Sequence, residues 1–316
     1  MGRSRHAMFV LLLVVLPLTP ALADEAIELR PRTIDGSCVP STTVLCLGAG
    51  RFYVEIDWMD FDTNTGLGQV LPLGLEDSGA FWFSDPELPE IYVSVLDGTA
   101  INGFFWVFFG SLTNWEFTVT VIDTETNEQA IYFNPLGTLA SMTDTAALPG
   151  SPPGAAARYP QSRTDGPSAA VEIDGMDACQ PDATTLCLDG GRFRITVDWE
   201  DFSGVMDTSL AVPLTDQSGY FPFFSTGFPD LMIKLFDGGD GNFWFFFGAT
   251  ADLMYTISVT DVCSGATQQY VNPLGVGPTS FGDTNAFPAT PTCLAIFADG
   301  FESGSTSAWS ARLPQP

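Results

Sequence analysis

Phe52, Val54, Ile56 and Trp58 alternate with Tyr53, Glu55 and Asp57. Further along, Phe193, Ile195, Val197 and Trp199 alternate with Arg194, Thr196 and Asp198. A period of two sends successive side chains to opposite faces, so each run predicts a strand with one face covered. Ile91/Val93/Val95 and Leu231/Ile233/Leu235 repeat the pattern, as do Phe117/Val119/Val121 and Ile257/Val259. Turn residues punctuate these runs at Gly48 to Gly50, Asp77-Ser78-Gly79, Asp97-Gly98 and Asn134-Pro135. No segment keeps a helical period. About seven or eight strands are expected in each half of the chain. A sheet apolar on one side needs a second sheet to cover it, so the expected fold is all-β, two tandem β-sandwiches of immunoglobulin-like or jelly-roll type.

The halves are copies of one another. CVPSTTVLCLGAGRFYVEIDWMDF at Cys38–Phe61 returns as CQPDATTLCLDGGRFRITVDWEDF at Cys179–Phe202. DSGAFWF, FFWVFFG, YFNPLG and DTAALP then return in order as QSGYFPF, NFWFFFG, YVNPLG and DTNAFP. A repeat of this length predicts two copies of one domain, at 38–149 and 179–288. The stretch 150–178 is rich in Pro, Ala, Gly and Ser and reads as a linker. Residues 24–37 lead into the first copy, and 289–316 form a C-terminal tail.

Composition adds an address. Arg3, Arg5 and His6 precede an apolar run from Ala7 to Leu18, and Ala21-Leu22-Ala23 supplies small residues for cleavage. Residues 1–23 therefore read as an export signal, too short in its apolar part to span a bilayer. No later apolar stretch is long enough to do so. Removing the signal leaves no histidine, one lysine (Lys234), and nine basic residues against 38 acidic ones. Such a charge repels nucleic acid and anionic lipid. Six cysteines in an exported chain predict three disulfides. Equal spacing pairs Cys38 with Cys46 and Cys179 with Cys187, each bridge contributing roughly 2.5 kcal/mol through loop closure. Cys263 and Cys293 remain for the third, though spacing alone leaves other connectivities open.

The landmarks LCL-x-GGRF, DW-x-DF, SG-x-F-W-F and NPLG resemble a repeated β-domain of bacterial secreted hypothetical proteins. IFADGFESGSTSAWS at 296–310 resembles a C-terminal segment carried by many exported bacterial proteins. The resemblance covers both copies and the tail. It implies an exported bacterial context and brings no activity with it.

Candidate chemistry is narrow. Without histidine, no Ser-His-Asp or Cys-His arrangement forms. Lys234 stands at an outward strand position equivalent to Ser94, and its expected setting is solvent. Paired carboxylates could serve a glycoside hydrolase, with Asp57 and Asp60 beside Trp58 and Asp198 and Asp201 beside Trp199. The same groups suit calcium, which takes six to eight oxygen ligands. One candidate cluster is Asp57, Asp60 and Asp62, matched by Asp198, Glu200 and Asp201. A second lies in the turns holding Asp97 and Asn102, and Asp237, Asp240 and Asn242.

The runs Phe104–Phe109 and Phe243–Phe247 are apolar on both faces. Phe105, Val107, Phe109 and Phe243, Phe245, Phe247 should enter the core. Trp106, Phe108, Trp244 and Phe246 then face the other way, either covered by a loop or the neighbouring copy, or exposed to stack on a sugar or a partner protein. The expected protein is thus a non-catalytic exported binding or surface-associated module for carbohydrate or protein, with calcium as a possible cofactor. Its rivals are a purely structural spacer and, third, a hydrolase using paired acids.

Overall fold

The computed structural model describes residues 33–150, 178–224 and 228–289. The expected signal at 1–23, nearly all of the linker, and the tail from residue 290 lie outside the described residues. The first copy forms β1 (Leu45–Leu47), β2 (Phe52–Met59), β3 (Thr65–Leu67), β4 (Gln69–Leu71) and β5 (Ser78–Trp82). It continues with β6 (Pro89–Asp97), a helical turn α1 (Thr99–Asn102), β7 (Phe104–Ser111), β8 (Glu116–Asp123), β9 (Gln129–Asn134) and β10 (Ser141–Pro149). The second copy follows the same order with β11 (Leu186–Leu188), β12 (Phe193–Glu200), β13 (Met206–Thr208), β14 (Val212–Thr215) and β15 (Ser218–Phe221). It closes with β16 (Leu231–Asp237), β17 (Asn242–Ala249), β18 (Met254–Asp261), β19 (Thr267–Asn272) and β20 (Thr279–Pro288).

The fold is all-β, built from four antiparallel sheets. Each copy has one sheet of order β1-β2-β8-β9, or β11-β12-β18-β19, with β3 or β13 added beside β2 or β12. Its other sheet runs β10-β7-β6-β5-β4, or β20-β17-β16-β15-β14. The registers match between copies: Phe52 pairs with Asp123, and Phe193 with Asp261. Ten strands per copy exceed the seven or eight expected because β1, β3 and β4 are three-residue edges. Runs that short show no period.

The alternating residues do what their pattern demands. Phe52, Val54 and Ile56 share a buried cluster with Val93, Phe105, Val107 and Phe109 of the facing sheet. Phe193, Ile195 and Val197 do the same with Ile233, Phe243, Phe245 and Phe247. Burying one such side chain is worth about 1.5–3 kcal/mol, so each copy holds a core of its own. The Gly-Arg-Phe arginine seals one end of each: Arg51 stacks 4.3 Å from the Phe105 ring and Arg192 4.5 Å from that of Phe243.

A third apolar cluster joins the copies, and both fall within one compact unit from Thr33 onward. Ala80, Tyr92 and Leu112 of the first copy bury against Tyr220, Met232 and Phe246 of the second. These residues lie on the outer faces of the β7- and β17-containing sheets. Equivalent positions meet across the seam. A Cβ on Gly248 would lie 3.3 Å from the Gly110 Cα, and the Ser141 and Ser280 hydroxyls are 2.7 Å apart. Like meeting like is the mark of an isologous contact, here between two halves of one chain. Oxygens that close leave room for a disulfide. Ser141→Cys/Ser280→Cys should oxidise to a bridge across the seam, detected by mass spectrometry as a tryptic peptide pair joined through positions 141 and 280. Full thiol recovery in the oxidised, folded chain would contradict this packing.

Candidate functional site

The outward aromatic residues have separate fates. Trp106 and Trp244 are half-buried, each pinned by its indole N–H. Trp106 Nε1 donates to Asn102 Oδ1 at 3.0 Å, and Trp244 Nε1 to both Asp240 oxygens at 3.3 Å. Beneath each ring lies a glycine: a Cβ on Gly98 or Gly238 would come within 2.1 Å of the indole. The turn sequences are thus written around the tryptophans. Phe246 is buried, packed beside Leu139 of the first copy over Gly282. Phe108 is half-buried and meets the ring of Phe228, from the second copy, edge-on at 5.8 Å. The neighbouring copy therefore covers the inner half of this face and leaves the tryptophans at its margins. Phe61 and Phe202, the last residues of the two DW-x-DF segments, are more exposed still, at 57% and 63%. Their motif flagged the preceding aspartates instead.

The seam also contains ionised chemistry that the sequence reading placed in solvent. Lys234 does point outward from its own sheet, but the first copy covers it and leaves it 3% exposed. Its ammonium makes an ion pair with Glu90 and lies 5.3 Å and 5.5 Å from the rings of Phe246 and Phe236. Burial drives both partners toward their neutral forms, raising Glu90 and lowering Lys234, while their mutual attraction opposes it. Asp230, the second copy's equivalent of Glu90, is also buried. Its Oδ2 accepts the Phe223 amide at 2.7 Å. Burial pushes this carboxyl up to about 7 although the amides of Phe223 and Phe224 pull it down. In the sequence both acids are marked by the same setting, a carboxylate between a proline and an aliphatic residue at the head of a buried strand.

The carboxylates considered for calcium are engaged locally. Asp60 Oδ1 accepts the amides of Asp62 and Asn64 at 2.9 and 2.8 Å, and its Oδ2 accepts the Asn64 side chain at 2.8 Å. Asp201 Oδ1 likewise accepts the Ser203 amide and hydroxyl and the Val205 amide. The side-chain bonds from Asn64 and from Ser203 are the main causes that hold these carboxyls below the usual range. Asp198 accepts the Thr208 hydroxyl, and Asp57 is exposed. Asp62 sits in an exposed turn, and Glu200 pairs with Met206 and Met254 at the end of β12. Asp97 accepts the amide and hydroxyl of Thr99, Asp237 the amide of Gly239, and Asp240 the amide of Asn242. Among the described residues, no three His, Cys, Asp or Glu side chains gather as a metal site would require. These spacings build turns, in which a carboxylate replaces a backbone acceptor.

Cys38–Cys46 and Cys179–Cys187 are bonded as spacing predicted. Cys263 is also disulfide-bonded, and Cys293 lies outside the described residues. No helix among the described residues is long and apolar enough to cross a membrane. Compared with protein-family models, curated proteins and solved structures, the chain matches none.

Proposed function

We propose that the chain is an exported, non-catalytic recognition protein whose two copies, residues 38–149 and 179–288, are β-sandwiches docked through their outer faces. Its site is the pair of tryptophans at the seam's margins, and its ligand is a carbohydrate. The observation that carries this reading is the bracing of Trp106 and Trp244. Each indole is held by an N–H bond and a glycine floor while part of its surface stays open. A rigid aromatic plate loses little freedom on binding and offers an apolar face to a sugar ring. Acidic turns beside it supply hydrogen-bond acceptors for hydroxyls. Export is supported by the leader sequence, by the disulfides and by the resemblance of the tail to segments of exported bacterial proteins.

A structural spacer is the second reading, favoured by the cover over Phe246. A glycan array probed with the whole chain separates the two. Recognition predicts binding to a defined glycan set, weakened about tenfold or more in Trp106→Ala or Trp244→Ala. Signal that is absent, or unchanged in both variants, favours the spacer. Capture of a protein ligand through the same tryptophans would keep the site and change its ligand class.

A further inference from the structure

The seam holds two equivalent acids and one base. Glu90 and Asp230 occupy the same place in the two copies, as do Ser94 and Lys234. Lys234 of the second copy answers Glu90 of the first, while the first copy's residue at the lysine position is the uncharged Ser94. Ser94 is itself fully buried and spends its hydroxyl on Ser78 at 2.7 Å. Asp230 has the amides of Phe223 and Phe224 beside its carboxyl and, among the described residues, no cation in ion-pair reach. With all three groups charged, the contact buries one negative charge too many.

We propose that the seam is a pH-sensitive contact, in which protonation of Asp230 tightens the two copies against each other and its ionisation loosens them. Other titratable groups here do not compete for the role. From β6, Tyr92 extends its hydroxyl to the Asp230 carbonyl at 3.4 Å, and burial holds it well above its ordinary range. Tyr220 of β15 is raised by burial as well, as is Tyr255 of β18, which lies inside the second core. Glu90 and Lys234 cancel each other whether both are charged or both neutral. Among the described residues of the seam, Asp230 is the group whose ionisation changes the contact's charge near neutrality, a direction its raised carboxyl supports. An acid that binds its proton more tightly when folded adds stability fully below its unfolded value near 4. That contribution is lost as pH rises toward about 7, and the curve is flat above. Ionisation at this position opposes burial of the surrounding apolar faces.

The whole chain should be melted from pH 4.5 to 8.5, and amide exchange corrected for its intrinsic pH dependence should be followed at Gly110 and Ser111. The wild-type midpoint should fall by about 5–10 °C across that range, with exchange at both amides speeding up. Asp230→Asn, which keeps the shape and cannot ionise, should remove most of the fall. A fall of equal size in Asp230→Asn, or exchange that quickens only at residues 223–230, overturns the proposal. If Asp230→Asn does not fold, Ser94→Lys carries the test by supplying the missing cation. It should flatten the profile, and an unchanged profile would overturn the idea equally.

Discussion

Lys234→Met is expected to cost about 3–5 kcal/mol at neutral pH, lowering the melting midpoint by ten degrees or more. The loss comes mainly from what remains behind. Glu90 is 6% exposed and would keep its place between the sheets with its principal counter-charge gone. Thr113 still offers a hydrogen bond, which does not replace an ammonium. The deficit should shrink as pH falls, because burial raises the Glu90 carboxyl and loss of the ammonium raises it further, so the stranded group takes a proton more readily. Glu90→Leu in the same background removes the stranded carboxyl, so the double variant should recover to within about 1–2 kcal/mol of wild type. Urea unfolding of wild type, both single variants and the double gives the coupling directly. A cost below about 1 kcal/mol for Lys234→Met would mean that water reaches the pair and the seam is open there.

What could be read from the sequence followed from covalent regularity. Period two in Phe52–Trp58 and Phe193–Trp199 needs no tertiary knowledge, because alternation is a property of an extended backbone. Duplication then predicted two cores and two short-range disulfides, and the structure contains both. The inward half of each aromatic strand followed from the same rule. Its outward half did not, since Phe108 and Phe246 require a cover without saying which surface supplies it. Lys234 misled for a related reason. A lone lysine on an outward position ordinarily meets water, and only its outward neighbours Met232 and Phe236 hinted at an apolar face. The acidic turns at Asp60 and Asp201 show another ambiguity. A carboxylate two and four residues ahead of backbone amides fits an Asx-type turn as well as a cation loop, and local hydrogen bonding claims it first.

Arg192→Ala is expected to destabilise the chain by about 3–4 kcal/mol, because one side chain performs three tasks at the end of the second core. Its Nε and Nη2 clasp the two oxygens of Asp261 at 3.2 and 3.1 Å, and Asp261 is wholly buried. Its remaining donors reach the carbonyls of Pro288 and Ala289, which ties the end of β20 to the start of β12. Its planar face covers Phe243 and, at 5.2 Å, Phe193. Among the described residues, alanine would leave Asp261 with the Cys263 amide and the Ser264 hydroxyl. Burial pushes the Asp261 carboxyl up, and the bonds from Arg192, Ser264 and Cys263 outweigh it and hold it below its ordinary value. An acid lowered in this way stabilises the fold above pH 4 and loses that contribution as pH falls further. The gap between wild type and Arg192→Ala should accordingly be widest near neutrality and narrow in acid. Arg192→Lys restores the charge without the two-pronged geometry, so it should recover only part of the loss. Equal stability for lysine and arginine would assign the effect to charge alone, against the fork and the stacking. A pH-independent gap would detach it from Asp261 altogether.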